Sequence, residues 1–407
     1  MKLSQILEPL YVCVGLLLKF VDIRRSDSRI LKLDFKPRAL LALVSCMLLG
    51  VATSAFAAPT GPYGPQAQSY AVPSGNVVYV SPTGTGSGTS LSDPTSVRDA
   101  LQNSPSGSTV VFRGGTYRTG GIYYSRNLTL QPYLNEVPVL KGSEVVTGWS
   151  WIGGGKWATT WDNLFPRAAP SFENGNESLW NQDMVIVDGT PKTQVEFVSQ
   201  VTFSTFHINY DTNTVTIGTN PSGKTIEMTA ERFGITRLTG TGNNLDVGTV
   251  QGLTFMHYAV AAFDFGLGGP NGPVAMNTFG ALVPNGRFLN NRFIMNGTSS
   301  GRLCGDDLIV RGNEFAHNAF VGIDIQNSNR AVIENNWIHN NNYQNIANYP
   351  AGIKVFNQCS DMMVRNNLVE YNKANGIWLD VGITDSAVVH NLVRNNSQAQ
   401  IHFEIST

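Results

Sequence analysis

In the last third of the chain, apolar and polar positions alternate in five-residue runs that recur at a near-fixed interval. Four runs align without gaps: Gly322-Ile-Asp-Ile-Gln326, Gly352-Ile-Lys-Val-Phe356, Gly376-Ile-Trp-Leu-Asp380 and Gln400-Ile-His-Phe-Glu404, beginning 30, 24 and 24 residues apart. A period of two is that of a β-strand. It turns Ile323, Ile325, Ile353, Val355, Ile377, Leu379, Ile401 and Phe403 inward and the residues between them outward. A second repeat runs alongside. Asn291, Asn313, Asn336, Asn367 and Asn391 are 22, 23, 31 and 24 residues apart, and each is followed five residues on by Asn296, Asn318, Asn341, Asn372 or Asn396. Phe293, Phe315, Ile338, Val369 and Val393 sit two after the first Asn of each pair. Repeats of this length, with neither helical spacing nor the Leu positions of leucine-rich repeats, predict coils of a parallel β-helix. The asparagines read as structural, stacking along the solenoid and tolerating left-handed φ at its corners.

Upstream, Tyr79–Ser81 reads as a strand, 84–94 as a loop, Ser96–Leu101 as a short helix capped by Ser96, and Val110–Phe112 as a second strand. This order is similar to the entry into bacterial right-handed β-helix proteins, where a helix plugs the first coil and covers its open end. Residues 157–233 break the repeat. Met184–Val187 and Thr193–Val198 flank an Asp188-Gly189 turn, and Phe206–Tyr210 and Thr214–Gly218 flank Asp211–Asn213, a pattern of antiparallel hairpins. The predicted fold class is all-β: a right-handed, pectate-lyase-like solenoid with an N-terminal capping helix and an inserted β-sandwich-like subdomain. The expected divisions are 1–57 (signal region), 58–75 (flexible linker), 76–156 (cap and first coils), 157–233 (insertion) and 234–407 (solenoid repeats).

Composition narrows the partners. Charged residues are 14% of the 407 and the net charge is −1, which excludes a strongly basic nucleic-acid binder and a self-repelling disordered chain. Four Cys cannot build a disulfide scaffold. At the N-terminus, Lys36 and Arg38 precede an apolar run from Ala39 to Ala52 and then Ala55-Phe56-Ala57, the pattern of a secretory signal peptide cleaved after Ala57. Residues 1–35 read as a start site placed too early, with a membrane anchor as the second reading. Leu43–Cys46 fits a lipoprotein box only loosely. The expected location is secreted or periplasmic, with no membrane attachment after cleavage. Cys304 and Cys359 then remain, either paired or as buried thiols.

The outward face of the four aligned strands carries the candidate chemistry. Asp324, Lys354, Trp378 and His402 form one column; Gln326, Phe356, Asp380 and Glu404 form the next. Neighbouring coils lie about 4.8 Å apart, so Asp380 and Glu404 stack as like charges, an arrangement that costs stability. Two carboxyls about 5–5.5 Å apart suit a retaining glycosidase, one as nucleophile and one as acid/base. Lys354 balances charge or contacts substrate, Trp378 and Phe356 offer aromatic surface to a sugar, and His402 and Asp324 are further candidate contacts. His257, His317, His339 and His390 lie outside the columns and read as structural. Asn342–Pro350, about seven residues longer than the matching turn elsewhere, carries Tyr343 and Tyr349 and is expected to wall the cleft.

Gly-Ile-Lys (352–354), Gly-Ile-Trp-Leu-Asp (376–380) and Phe-Glu-Ile-Ser (403–406) resemble the motif series of secreted β-helix proteins related to glycoside hydrolase family 120, which are β-xylosidases with a β-sandwich inserted in the helix. The resemblance implies that Asp380 is the nucleophile and Glu404 the acid/base, with a polysaccharide or oligosaccharide as substrate and no cofactor. The chain departs from that pattern at Val381, where an aromatic is usual, and in lacking a His-Gly-Pro after the last strand. Two other readings stay open. One is a polysaccharide lyase with Lys354 as base, Arg365 or Arg394 assisting, and Ca2+ on an acidic cluster. The other is a non-catalytic carbohydrate-binding solenoid. With Glu404 in the last strand, the solenoid is expected to be open at that end and prone to end-to-end self-association.

Overall fold

The computed structural model describes residues 61–165, 182–237, 248–265, 284–347 and 349–407, together with the short strands Val21–Ile23, Leu33–Phe35, Gly268–Gly269 and Gly272–Pro273. The signal-peptide pattern at 36–57 lies outside them. Val21–Ile23 and Leu33–Phe35 pair antiparallel in a unit of their own. From residue 58 onward, three long parallel sheets of eight, nine and eight strands wind into a solenoid. The first holds Ile323–Gln326, Ala351–Phe356, Asn375–Asp380 and Ile401–Glu404 as successive neighbours and is called the site sheet below. Their register matches the sequence alignment: Lys354 pairs with Trp378 and Trp378 with His402, while Phe356 pairs with Asp380 and Asp380 with Glu404.

The inward rows are buried except on the outermost strand. Ile323, Ile325, Ile353, Val355 and Ile377 are fully buried, and Phe255, Phe293 and Phe315 stack at 5.3 and 5.2 Å along the axis. Burial of such side chains contributes roughly 1.5–3 kcal/mol each. Ile401 and Phe403, on the sheet's outer strand, are 52% and 56% exposed.

Both asparagine rows are ladders. In the first, the side-chain amides of Asn291, Asn313, Asn336 and Asn367 each donate to the Asn Oδ1 one coil on, at 2.9–3.1 Å. The second row repeats this from Asn296 to Asn396 at 2.8–2.9 Å. Left-handed φ falls one residue earlier than the sequence suggests. It belongs to Asn290, Gly312, Asn335, Asn366 and His390 before the first row, and to Met295, His317, Asn340, Tyr371 and Asn395 before the second. The turn residue reverses the chain, and the ladder Asn then pairs the backbone the turn leaves open.

The capping helix spans Val97–Asn103, with Ser96 Oγ accepting from the Asp99 amide. The insertion starts earlier than its sequence pattern. Ser143–Val145 already belongs to its four-stranded sheet, and the hairpin Ser150–Gly153/Lys156–Thr160 to its five-stranded sheet. Val185–Val187 pairs with Thr190–Pro191, whereas Thr193–Gln194 crosses to the other sheet and runs parallel to Thr205–Asn209. The neck closes where Gly142 O accepts from the Ala230 and Glu231 amides. The segment read as a flexible linker is tied to the solenoid: Ala71 O accepts from Gln131 Nε2 at 2.9 Å. Cys304 and Cys359 are both buried free thiols, and burial pushes Cys359 up to about 11. Among the described residues no helix is long and apolar enough to cross a membrane.

Candidate functional site

The site grows from the pleat of the site sheet. Alternation exposes every second residue, and the parallel register stacks them coil over coil. Lys354 and Asp380 are diagonal neighbours on adjacent strands, within reach of a long side chain. Lys354 Nζ lies 3.2 Å from Asp380 Oδ2, with the two side chains 8% and 12% exposed. Around the ammonium stand three rings: Trp378 at 3.7 Å, Tyr349 at 5.0 Å and Phe356 at 5.7 Å to their centroids. A desolvated cation over an indole is worth about 2 kcal/mol, so the cage and the carboxylate together compensate for burying a charge.

Glu404 lies one strand on, opposite Asp380, in a different setting. Its side chain is 43% exposed, and His402 Nε2 approaches its Oε2 at 3.6 Å. The two carboxylates are thus set apart by environment, one buried against an ammonium and one at the solvent rim beside an imidazole. On the other side of Lys354 is Asp324, its register partner. Burial raises the Asp324 carboxyl above its ordinary range, against the opposing charges of Arg302 and Lys354.

Asp324, Lys354, Phe356, Trp378, Asp380, His402 and Glu404 all fall on the outward face of the site sheet, though not always in the role expected. Trp378 does not offer an open face to a sugar. It is 5% exposed, Tyr349 stacks on it at 5.8 Å, the Lys354 ammonium lies over its ring and His402 meets it edge-on at 4.9 Å. It is a wall of the lysine cage. The exposed ring is Tyr349, at 50%, carried in by the long loop after the strand Trp337–His339. That loop is braced by Asn342, whose amide donates to Ile346 O and Lys373 O. Its expected place beside the cleft matches the position of Tyr349.

Arg302 was not visible as a site residue. It pairs in register with Asp324 and extends the outward column by one coil. Its strand reads Ser-Ser-Gly-Arg-Leu-Cys and lacks the Gly-Ile start of the runs at 322, 352 and 376. Counting 22 residues back from Asp324, the coil length set by the asparagines, finds it. Arg365 and Arg394, the assistants in the lyase reading, do not reach Lys354. They lie in the second and third sheets, paired with Glu334 at 2.7 Å and Glu370 at 2.8 Å. Among the described residues no three or more acidic, histidine or cysteine side chains converge as a cation site requires. His257 and His339 are buried, and none of the four non-column histidines lies in the site sheet's aligned strands.

A family model described as a right-handed beta helix region matches residues 279–407. No curated protein matches the chain. Among solved structures, XylC in complex with xylose is similar at 17% identity with a TM-score of 0.61, over 80% of this chain and 66% of that one. The chain therefore spans just under two thirds of that protein's length. A GH136 lacto-N-biosidase from Eubacterium ramulus is similar at 10% identity with a TM-score of 0.45, over 78% and 55%. Pectate lyase Pel9A is similar at 12% identity with a TM-score of 0.36, over 81% and 82%. Together with the sheet topology, the family-model match and the XylC likeness establish the architecture as a right-handed parallel β-helix.

Proposed function

We propose that the chain is an exported, retaining glycoside hydrolase acting on a plant or microbial polysaccharide or oligosaccharide, with Asp380 as nucleophile and Glu404 as acid/base. The observation that supports this most is the register pairing of two carboxylates in unlike surroundings. Asp380 is half of an ion pair, the form a nucleophile needs. Glu404 is open to water, as a group that gives and retakes a proton must be. In the first step the Asp380 carboxylate bonds to the anomeric carbon as the glycosidic C–O bond breaks, and Glu404 protonates the leaving oxygen. In the second, Glu404 takes a proton from water, the water oxygen bonds to the same carbon and Asp380 leaves. Lys354 and Trp378 position Asp380, and Tyr349 faces the sugar. The strand motifs resemble family 120, and XylC was solved with xylose, so β-xylosides are the first substrates to try. The export pattern at 36–57 fits an extracellular polymer.

The test is a screen of aryl glycosides and uronate polymers. Hydrolysis of an aryl glycoside is expected, with no unsaturated product from the uronates. Asp380→Ala should lose at least about 10³-fold in kcat, and added azide should restore turnover and give a glycosyl azide. An Asp380→Ala protein that turns over like the parent removes the assignment. Ligand binding without hydrolysis, unchanged in the variant, points to a non-catalytic solenoid.

A further inference from the structure

The inserted sandwich carries a groove separate from the carboxylates. Five of the chain's seven tryptophans lie between 149 and 180. Trp151 and Trp157 are register partners in the edge hairpin, and their row continues through Ile217 to Phe206. Ile217 and Phe206 are sealed in the sandwich core. The row is therefore the inner face of the five-stranded sheet. At this edge the opposing sheet ends with Ser143–Val145, and Trp151 is left 58% exposed. The rings of Trp151 and Trp157 meet edge to face at 4.8 Å, and Trp149 is pinned by its Nε1 donating to Val146 O at 3.0 Å. With Asn220, Ser222 and Lys224 they line an open groove of about 510 Å³, inside the range of roughly 300–1,000 Å³ usual for ligand sites.

The lining specifies the occupant. Fixed indoles receive the C–H face of a pyranose, and an amide and a hydroxyl on the rim suit its hydroxyls. The cation of the groove, Lys224, is neutralised by Asp188 at 2.8 Å, which leaves no unpaired positive charge there to select an acidic sugar. Position agrees. The insertion leaves the solenoid between a third-sheet strand and a site-sheet strand, as does the loop carrying Tyr349. The site-sheet strands that follow them are four apart, about 19 Å along the axis at ~4.8 Å per strand. One polymer can run along that corner. We propose that the Trp149–Trp151–Trp157 groove is a second carbohydrate site that holds a neutral polysaccharide.

The test is electrophoresis through gels containing arabinoxylan, mixed-linkage β-glucan or polygalacturonate, a binding readout that needs no hydrolysis and is run in the Asp380→Asn background to spare the polymer. Retardation by at least one of the neutral polymers is expected. It should weaken about tenfold in Trp151→Ala and persist in Trp151→Phe, while turnover of a small aryl glycoside by Trp151→Ala in the otherwise wild-type protein stays unchanged. Trp151→Gln serves if the alanine variant does not fold. No retardation by either neutral polymer, retardation by polygalacturonate alone, or retardation indifferent to Trp151 overturns the proposal. So does a dimer in sedimentation that Trp151→Ala splits, which assigns the hairpin to a second copy of the chain.

Discussion

Lys354 shows how the pleat turns a repeat into a site. One coil down it meets Trp378 in register and Asp380 on the diagonal, so its stem and head satisfy two columns at once. Removing one partner of a buried ion pair leaves the other uncompensated, at a cost of about 3 kcal/mol. Lys354→Met is therefore expected to lower the melting temperature by several degrees and kcat by at least tenfold. The double variant Lys354→Met/Asp380→Asn should regain most of the stability and none of the activity. Thermal unfolding and aryl-glycoside kinetics check both halves; a single variant as stable as the parent contradicts the pairing. At this scale the sequence shows which residues share a face but not which of them is covered. Asp380, Glu404 and Lys354 could be read from alternation. The burial of Trp378 could not, because it depends on Tyr349 arriving from a loop whose path no periodicity fixes.

The asparagine ladders hold the coils in register, and they are the most legible element because their spacing is the coil length itself. Asn341 makes the case. Its amide donates to Phe315 O and Asn372 Oδ1, and its own Oδ1 accepts from the Asn318 amide groups. Asn341→Ala orphans several buried groups, each worth about 1–3 kcal/mol. A loss of at least about 2 kcal/mol in chemical denaturation is expected, and a loss under half of that contradicts a load shared along the ladder. The insertion was harder to bound. Ser143–Val145 continues an alternating solenoid strand in sequence, and only its pairing with Ile226–Thr229 reveals that the chain has already left the helix. Thr193–Gln194 was misassigned for a related reason: alternation predicts a strand but not its partner.

At the scale of the whole molecule, the sandwich is fastened to the solenoid through one buried carboxylate. Glu227, on the sandwich, meets Lys141 Nζ at 3.0 Å and Arg118 at 2.6 Å, both from solenoid strands, and lies beside His257. Burial, with the charges of Lys141 and Arg118, pulls His257 down to about 3. Burial lifts Glu227, but its cationic neighbours hold it below its ordinary value. The signs agree. Between pH 6.5 and about 3 the unfolded chain binds a proton at His257 that the folded chain does not, so stability falls as pH drops through that window. Glu227 adds a loss as pH falls below the ordinary carboxyl range. From pH 7 to 5 the His257 contribution is roughly 2 kcal/mol. A melting-temperature series over that range should slope downward toward acid, and less steeply in His257→Asn. A flat wild-type series, or equal slopes, contradicts this. The solenoid was legible from its repeat, whereas this junction was not: its four charged or titratable residues are scattered from 118 to 257.

The central claim is that Asp380 becomes covalently bonded to sugar. The most direct measurement is intact-protein and peptide mass spectrometry after incubation with activated 2-deoxy-2-fluoro glycosides, beginning with the xyloside, which slow release of the glycosyl-enzyme. The account predicts one added glycosyl group, located on the peptide containing Asp380 and absent in Asp380→Ala. A label on Glu404, or a protein that hydrolyses the parent glycoside yet never carries a label, contradicts it.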